Sequence, residues 1–243
     1  GGRRHRLRRM AGETRREETW RLRGLTFAVA EGESLAIVGA RGSGRELVLR
    51  PAGGTLIPEE GRVRRRLPVT PMIEVAKALG RGLTVRQNIY VVGGLLAMTP
   101  EQVTDRLDEI VDFAGVGPIL DKYLGAAIPM VRQKLAWSIT MATQSRAFAI
   151  DQTLVVGDRE FRQACWTRVD QMRADGVTFL ISSDSPKQLR RFCDRAIVLD
   201  DGALVAQTSV AEGIALLRQS RRKGAAPELD DTESSGEGDS NAP

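Results

Sequence analysis

The sequence is short of several residues on which enzyme chemistry commonly rests. Its single histidine, His5, lies among arginines near the N-terminus, which speaks against a histidine-based metal site or a histidine-dependent triad. Its two cysteines, Cys165 and Cys193, form no CxxC spacing. No disulfide framework is expected, and both thiols should be reduced and packed in the core of a cytosolic protein. No apolar run approaches the roughly 20 residues that cross a bilayer. The basic N-terminus is followed by no apolar stretch of the kind a signal peptide carries. Lysine is scarce, with five among 36 basic residues, so arginine carries most of the positive charge.

What is present supports a folded domain. Of the 243 residues, 42% are hydrophobic and 28% charged, enough for a full core and against wholesale disorder. The net charge of +5 is unevenly placed. The first 23 residues hold nine arginines, and from Glu228 onward every charge is acidic. The sequence therefore predicts a basic flexible arm over 1–19, a folded domain over 20–222 and an acidic disordered tail over 223–243. The arm reads either as a solvated terminus or as a contact for an anionic membrane surface. No aromatic residue interleaves with its arginines, so a stacking platform is not supported and no nucleic-acid partner is expected.

Periodicity predicts an α/β fold with a mostly parallel sheet core. Leu22 to Ala30 alternates as a strand, Ser34 to Val38 is a short apolar run like a buried parallel strand, and Pro58 to Arg66 reads as a turn with an exposed strand. Helices are predicted over 84–98, 100–113 with Thr99 as cap, 133–142, 161–174 and 186–193. Further strands are predicted over 147–151, 177–182 and 196–199, the last ending in an Asp201-Gly202 turn.

The segment Gly39-Ala40-Arg41-Gly42-Ser43-Gly44-Arg45-Glu46 lies between a predicted buried strand and a predicted helix. Its spacing is that of the phosphate-binding loop G-x-x-x-x-G-K-[ST] with the last two residues changed. The glycines suit an anion cradle built from backbone N–H groups at a helix N-terminus. The lysine that would meet the β/γ-phosphates is Arg45, and the hydroxyl that would meet Mg²⁺ is Glu46. A second acidic residue for Mg²⁺ is expected at the end of the 147–151 strand, where Asp151 stands. Gln152 follows in place of a carboxylate that would activate water.

With these blocks assembled, the chain resembles the nucleotide-binding subunit of ABC transporters, in the branch that exports O-antigen, capsular polysaccharide and teichoic acid. The resemblance spans about Trp20 to Ala211. It rests on Leu25 to Gly44, on Ile73-Glu74 through Asn88-Ile89-Tyr90, on Asp105 to Ile110, on Leu154 to Asp158 and on Cys193-Asp194-Arg195-Ala196. It implies a P-loop α/β core with a small antiparallel β subdomain and a helical subdomain over about 84–143. It also implies ATP and Mg²⁺ as cofactors, at a strength the altered loop leaves open, with Glu74 joining Glu46 and Asp151 at the metal. Trp20 lies near where the family stacks an aromatic on adenine, and reads first as a strand-flanking aromatic packed on the core.

Several phosphate-facing positions depart from the family. Its signature serine and glycine fall on Ile128 to Val131, and its switch histidine on Asp184. With Arg45, Glu46 and Gln152, these departures predict impaired or absent hydrolysis. The catalytic positions would be Gln152 and Asp184. The phosphate contacts would be Gly39, Gly42, Ser43, Gly44, Arg45 and Glu46. The implied partners are a multi-span permease and a second cassette, in a homo- or heterodimer on the inner face of the plasma membrane. Two alternatives stay open: a weak ATPase with unusual ligands, and a non-catalytic interaction protein on an ABC scaffold.

Overall fold

The computed structural model describes residues 21–126, 129–152 and 154–224. Trp20, Ile128 and the stretches 1–19 and 225–243 lie outside the described residues. The core is one six-stranded sheet in the order β2-β3-β4-β1-β5-β6. Its strands are β1 (Ser34–Gly39), β2 (Thr70–Met72), β3 (Ala147–Asp151), β4 (Thr178–Ser182), β5 (Arg195–Asp200) and β6 (Ala203–Ser209). All neighbours are parallel except β5 and β6, which form an antiparallel hairpin. The helices are α1 (Arg45–Ala52), α2 (Val85–Leu95), α3 (Pro100–Asp105), α4 (Leu107–Ala114), α5 (Pro129–Met141), α6 (Arg159–Ala174), α7 (Pro186–Phe192) and α8 (Val210–Gly224).

The central strand shows why the run SLAIVG folds as it does. Every residue of β1 is buried, because β4 and β5 cover its edges and helices cover both faces. Side chains alternate across the sheet. Leu35 and Ile37 face a layer with Val48 and Leu49 of α1. Ala36 and Val38 face the opposite layer with Phe161, Leu189 and Ile214. A separate cluster joins α2, α4 and α5 through Ile89, Ile110, Leu135 and Ile139. The two larger clusters meet at an aromatic joint. Phe113 stacks on Trp137 at 5.1 Å, and Phe161 meets both edge-on at 5.3 and 5.8 Å.

Two expected strands are absent. Residues 22–30 alternate in burial, with Leu25, Phe27 and Val29 against the core, yet only Arg23 forms a bridge, to Ala203. Side chains occupy the positions a ladder would need: Gln207 donates to the Thr26 carbonyl at 3.3 Å and Arg195 to that of Ala28. Residues 58–66 are irregular and almost wholly exposed, with too few apolar side chains to bury against a neighbour. The expected antiparallel subdomain is thus reduced, among the described residues, to the β5–β6 hairpin within the main sheet. The expected helix over 100–113 breaks into α3 and α4 at Arg106, whose backbone leaves the helical region.

Candidate functional site

The phosphate loop sits at the C-terminal end of β1, the central strand, and turns directly into α1. Crevices at the carboxyl ends of open parallel sheets are where such folds bind ligands. Gly42 and Gly44 have φ of 86° and 85°, which only glycine adopts without strain. A Cβ on Gly39 would collide with the Ser43 hydroxyl, so the loop closes tightly on the strand end. The Ser43 amide donates to the Ala40 carbonyl at 3.1 Å, and the Gly202 amide donates to the Ser43 carbonyl at 3.2 Å. The β5–β6 turn thereby fixes the back of the loop.

The start of the first expected strand, with Arg21 just before it, also touches this loop, a contact no sequence motif signalled. A Cβ on Gly44 would lie 2.5 Å from Leu22 Cδ2 and 2.9 Å from the Arg21 carbonyl. A Cβ on Gly202 would lie 2.5 Å from the same carbonyl. The Arg23 amide donates to the Gly202 carbonyl at 2.7 Å. Residues 21–23 are therefore threaded between the start of α1 and the hairpin turn.

Arg45 and Asp184 are brought together. Arg45 opens α1, its side chain is 3% exposed, and it forms an ion pair with Asp184. Asp184 lies just beyond β4 and is also reached by Arg41 at 3.5 Å. Partial burial would raise the Asp184 carboxyl, but Arg45, and then Arg41, hold it below the usual carboxylate range. A cavity of about 70 Å³ lies against Gly39, Arg45, Ser183 and Asp184 and is closed by Ile214, Leu217 and Arg218 of α8. It has room for about two waters and not for a triphosphate. A groove of about 700 Å³ runs along α6 from Arg159 to Gln171 and contains none of the candidate residues.

Asp151 closes β3, two strands from the loop, and faces the same region. Burial pushes its carboxyl up, Arg45 opposes this, and Glu46 and Asp184 reinforce it. Its Oδ1, the Ser182 hydroxyl and the Ser43 hydroxyl are buried without hydrogen-bond partners. Gln152 follows in a left-handed conformation, φ 53°, with its amide donating to the Ser182 carbonyl at 2.8 Å. Such a conformation in a non-glycine residue costs about 1–3 kcal/mol and clusters at functional positions.

The glycine loop and its orphaned hydroxyl suit a phosphate group. The expected metal set does not assemble. Glu74 stands in a left-handed turn and is paired with Lys77, and among the described residues no three acidic, cysteine or histidine side chains converge as a metal group. Lysine three residues on makes a local ion pair the nearer partner for Glu74. Arg132 of α5 holds that turn by donating to the Ala76 and Leu79 carbonyls at 3.2 and 2.8 Å. Asn88, part of the Asn-Ile-Tyr block, is fully buried. Its amide ties down the carbonyls of Gly80, Leu83 and Thr84 and accepts from the Gly80 amide at 2.7 Å. Its role here is to shape a loop. Asp158 caps α6 through the Phe161 amide at 2.9 Å and pairs with Lys134.

A glycine loop at the end of a central parallel strand, with an acidic residue ending the strand two places away, defines a fold of the P-loop class. Solved structures share this fold. The dimeric cassette MJ0796 bound to ADP and Pi matches with a TM-score of 0.65 over 78% of this chain and 90% of its own, at 20% identity. An ATP-binding subunit of an ABC transporter matches with a TM-score of 0.68 over 84% of this chain and 89% of its own, also at 20% identity. No protein-family model matches the chain.

Curated relatives narrow the class. The teichoic acids export ATP-binding protein TagH of Staphylococcus saprophyticus is 30% identical over 75% of this chain and 69% of its own length. The ABC transporter protein AbcA of Aeromonas salmonicida is 32% identical over 76% of this chain. The O-antigen export system ATP-binding protein RfbB of Klebsiella pneumoniae is 29% identical over 80% of this chain and 79% of its own length. The chain belongs to the ATP-binding proteins of ABC transporters, in the branch of the O-antigen and teichoic-acid export proteins. It spans 60% of the length of AbcA.

Proposed function

We propose that the chain is the cassette subunit of an exporter of a cell-envelope glycan, and that its ATP hydrolysis is impaired or absent. It would dock as a peripheral subunit on a multi-span permease at the inner face of the plasma membrane and pair with a second cassette, identical or different. The observation that carries the reading is the pairing of buried Arg45 with Asp184 at the phosphate loop. In the unaltered motif a lysine at this position meets the β/γ-phosphates. Here the cation is already neutralised by a carboxylate, which a nucleotide would have to displace. When bound, ATP would lay its phosphates on Gly39 to Gly44 and the first turn of α1. Glu46 then adds negative charge where phosphate charge must be neutralised, and Gln152 can align a water but cannot take its proton. Positioning and charge neutralisation are the whole of phosphoryl-transfer catalysis, and both are weakened.

Calorimetric titration with ATP, with and without Mg²⁺, tests this. The expected result is weak binding that gains little from Mg²⁺, with no turnover above background. Asp184→Asn frees Arg45 and should tighten ATP by about tenfold, equivalent to ~1.4 kcal/mol. Micromolar, Mg²⁺-dependent binding with turnover lost in Asp151→Asn would instead establish the weak-ATPase alternative.

A further inference from the structure

The loop that joins α1 to β2 carries a surface the cassette core does not use. α1 starts at the phosphate loop and runs back along the sheet, and β2 begins the return. Residues 53–69 therefore lie at the sheet edge opposite the nucleotide site. Three aliphatic side chains stand in solvent there: Ile57 is 88% exposed, Leu56 46% and Val63 42%. Between and beside them stand Arg62, Arg64, Arg65 and Arg66, all exposed. Among the described residues, no carboxylate forms an ion pair with Arg62, Arg64 or Arg66.

The loop is held in place. Arg65 donates to the Pro51 carbonyl at the end of α1 at 2.7 Å, and its guanidinium packs over Gly54. With Arg65 used as this anchor, Arg62, Arg64 and Arg66 remain as an unpaired cationic group next to exposed aliphatic side chains. Glu59 and Glu60 are the acidic residues of the loop, leaving the patch net positive.

We infer that this loop is a docking surface for an anionic lipid bilayer. Arginines near such a surface each add about 1 kcal/mol of attraction, and aliphatic side chains beside them gain by entering the headgroup boundary. The aliphatic component separates this partner from a nucleic acid. A single strand would be met by aromatic stacking, and residues 50–69 contain no aromatic. The surface belongs to a different stretch of the sequence from the arginine-rich residues before residue 21.

The test uses the full chain and vesicles of equal parts phosphatidylcholine and phosphatidylglycerol, with pure phosphatidylcholine vesicles as reference. The parent should co-sediment with the anionic vesicles and lose binding as salt rises. R62Q/R64Q/R66Q should weaken the partition by about a hundredfold and, separately, Ile57→Asp by about tenfold. All four positions are exposed, so circular dichroism and thermal melting should stay those of the parent. An environment-sensitive dye on Ile57→Cys should shift to the blue with anionic vesicles, since the native thiols Cys165 and Cys193 are buried. R3Q/R4Q/R6Q/R8Q/R9Q in the arm should leave that dye shift in place. The inference is overturned if the loop variants partition like the parent or the dye does not shift. It is also overturned if Ile57→Asp has no effect while heparin or single-stranded DNA binds as tightly as the vesicles.

Discussion

At the residue scale, the chemistry of the site turns on which charges are already matched. Asp184 has its charge held by Arg45 and Arg41, while Asp151 is pushed up chiefly by burial. The two carboxylates therefore contribute to stability with opposite signs. A carboxyl held below its unfolded value stabilises the fold above about pH 4, and that contribution disappears as pH falls through its folded value. A carboxyl raised above its unfolded value does the reverse. Its contribution is complete below about pH 4 and is lost as pH rises through the folded value. Asp151→Asn should thus raise the urea midpoint at pH 7 and leave it nearly unchanged at pH 3. A midpoint that falls at pH 7 would mean that the ionised carboxylate is itself a structural partner. The pairing of Arg45 with Asp184 was not legible in sequence, although both were marked as altered positions, because 139 residues separate them. Arg132 and the Arg21–Leu22 contact were missed for the same reason. Each acts on backbone groups that no spacing rule brings near. Asn88, in contrast, was named for its sequence block without its grip on carbonyls four to eight residues away. The pairing of Glu74 with Lys77 was likewise not legible from a family position.

At the element scale, the runs read most accurately are those buried on both faces. β3 and β4 need an unbroken apolar stretch, so AFAID declares itself with its boundaries and TFLIS to within one residue. β2 was missed because three residues with a central proline carry no period. β6 was missed because its apolar residues, Ala203 to Ala206, are consecutive and give no alternation, although one side of the strand is exposed. Residues 22–30 show the converse: alternation reports which side chains face the core and does not establish a hydrogen-bonded ladder. Helix starts were more legible, since capping is local. Thr84 and Gln87 form a reciprocal box at the start of α2, with bonds of 3.1 and 2.9 Å, and Thr99 and Gln102 repeat it at α3. Thr84→Ala should cost about 1 kcal/mol in urea denaturation. Restoring the cap with Ser should recover most of it, and an unchanged midpoint would show that tertiary packing alone holds α2 in place.

At the scale of the whole molecule, the sheet layer and the helical layer are joined where Phe113, Trp137 and Phe161 meet, and Trp137 further donates to the Leu154 carbonyl at 3.1 Å. Phe113→Ala should destabilise the protein by up to about 3 kcal/mol. Hydrogen exchange should show α2 and α4 losing protection before β1 and β4. Uniform loss across both layers would mean that they unfold as one cooperative unit. The threading of residues 21–23 beside Gly44 and Gly202 makes this segment a wedge shared by two turns. The Arg21 carbonyl stands 2.5 Å from where a Gly202 Cβ would be and 2.9 Å from where a Gly44 Cβ would be. A side chain added at Gly202 would have to push this carbonyl aside, and the displacement would pass directly to the start of α1.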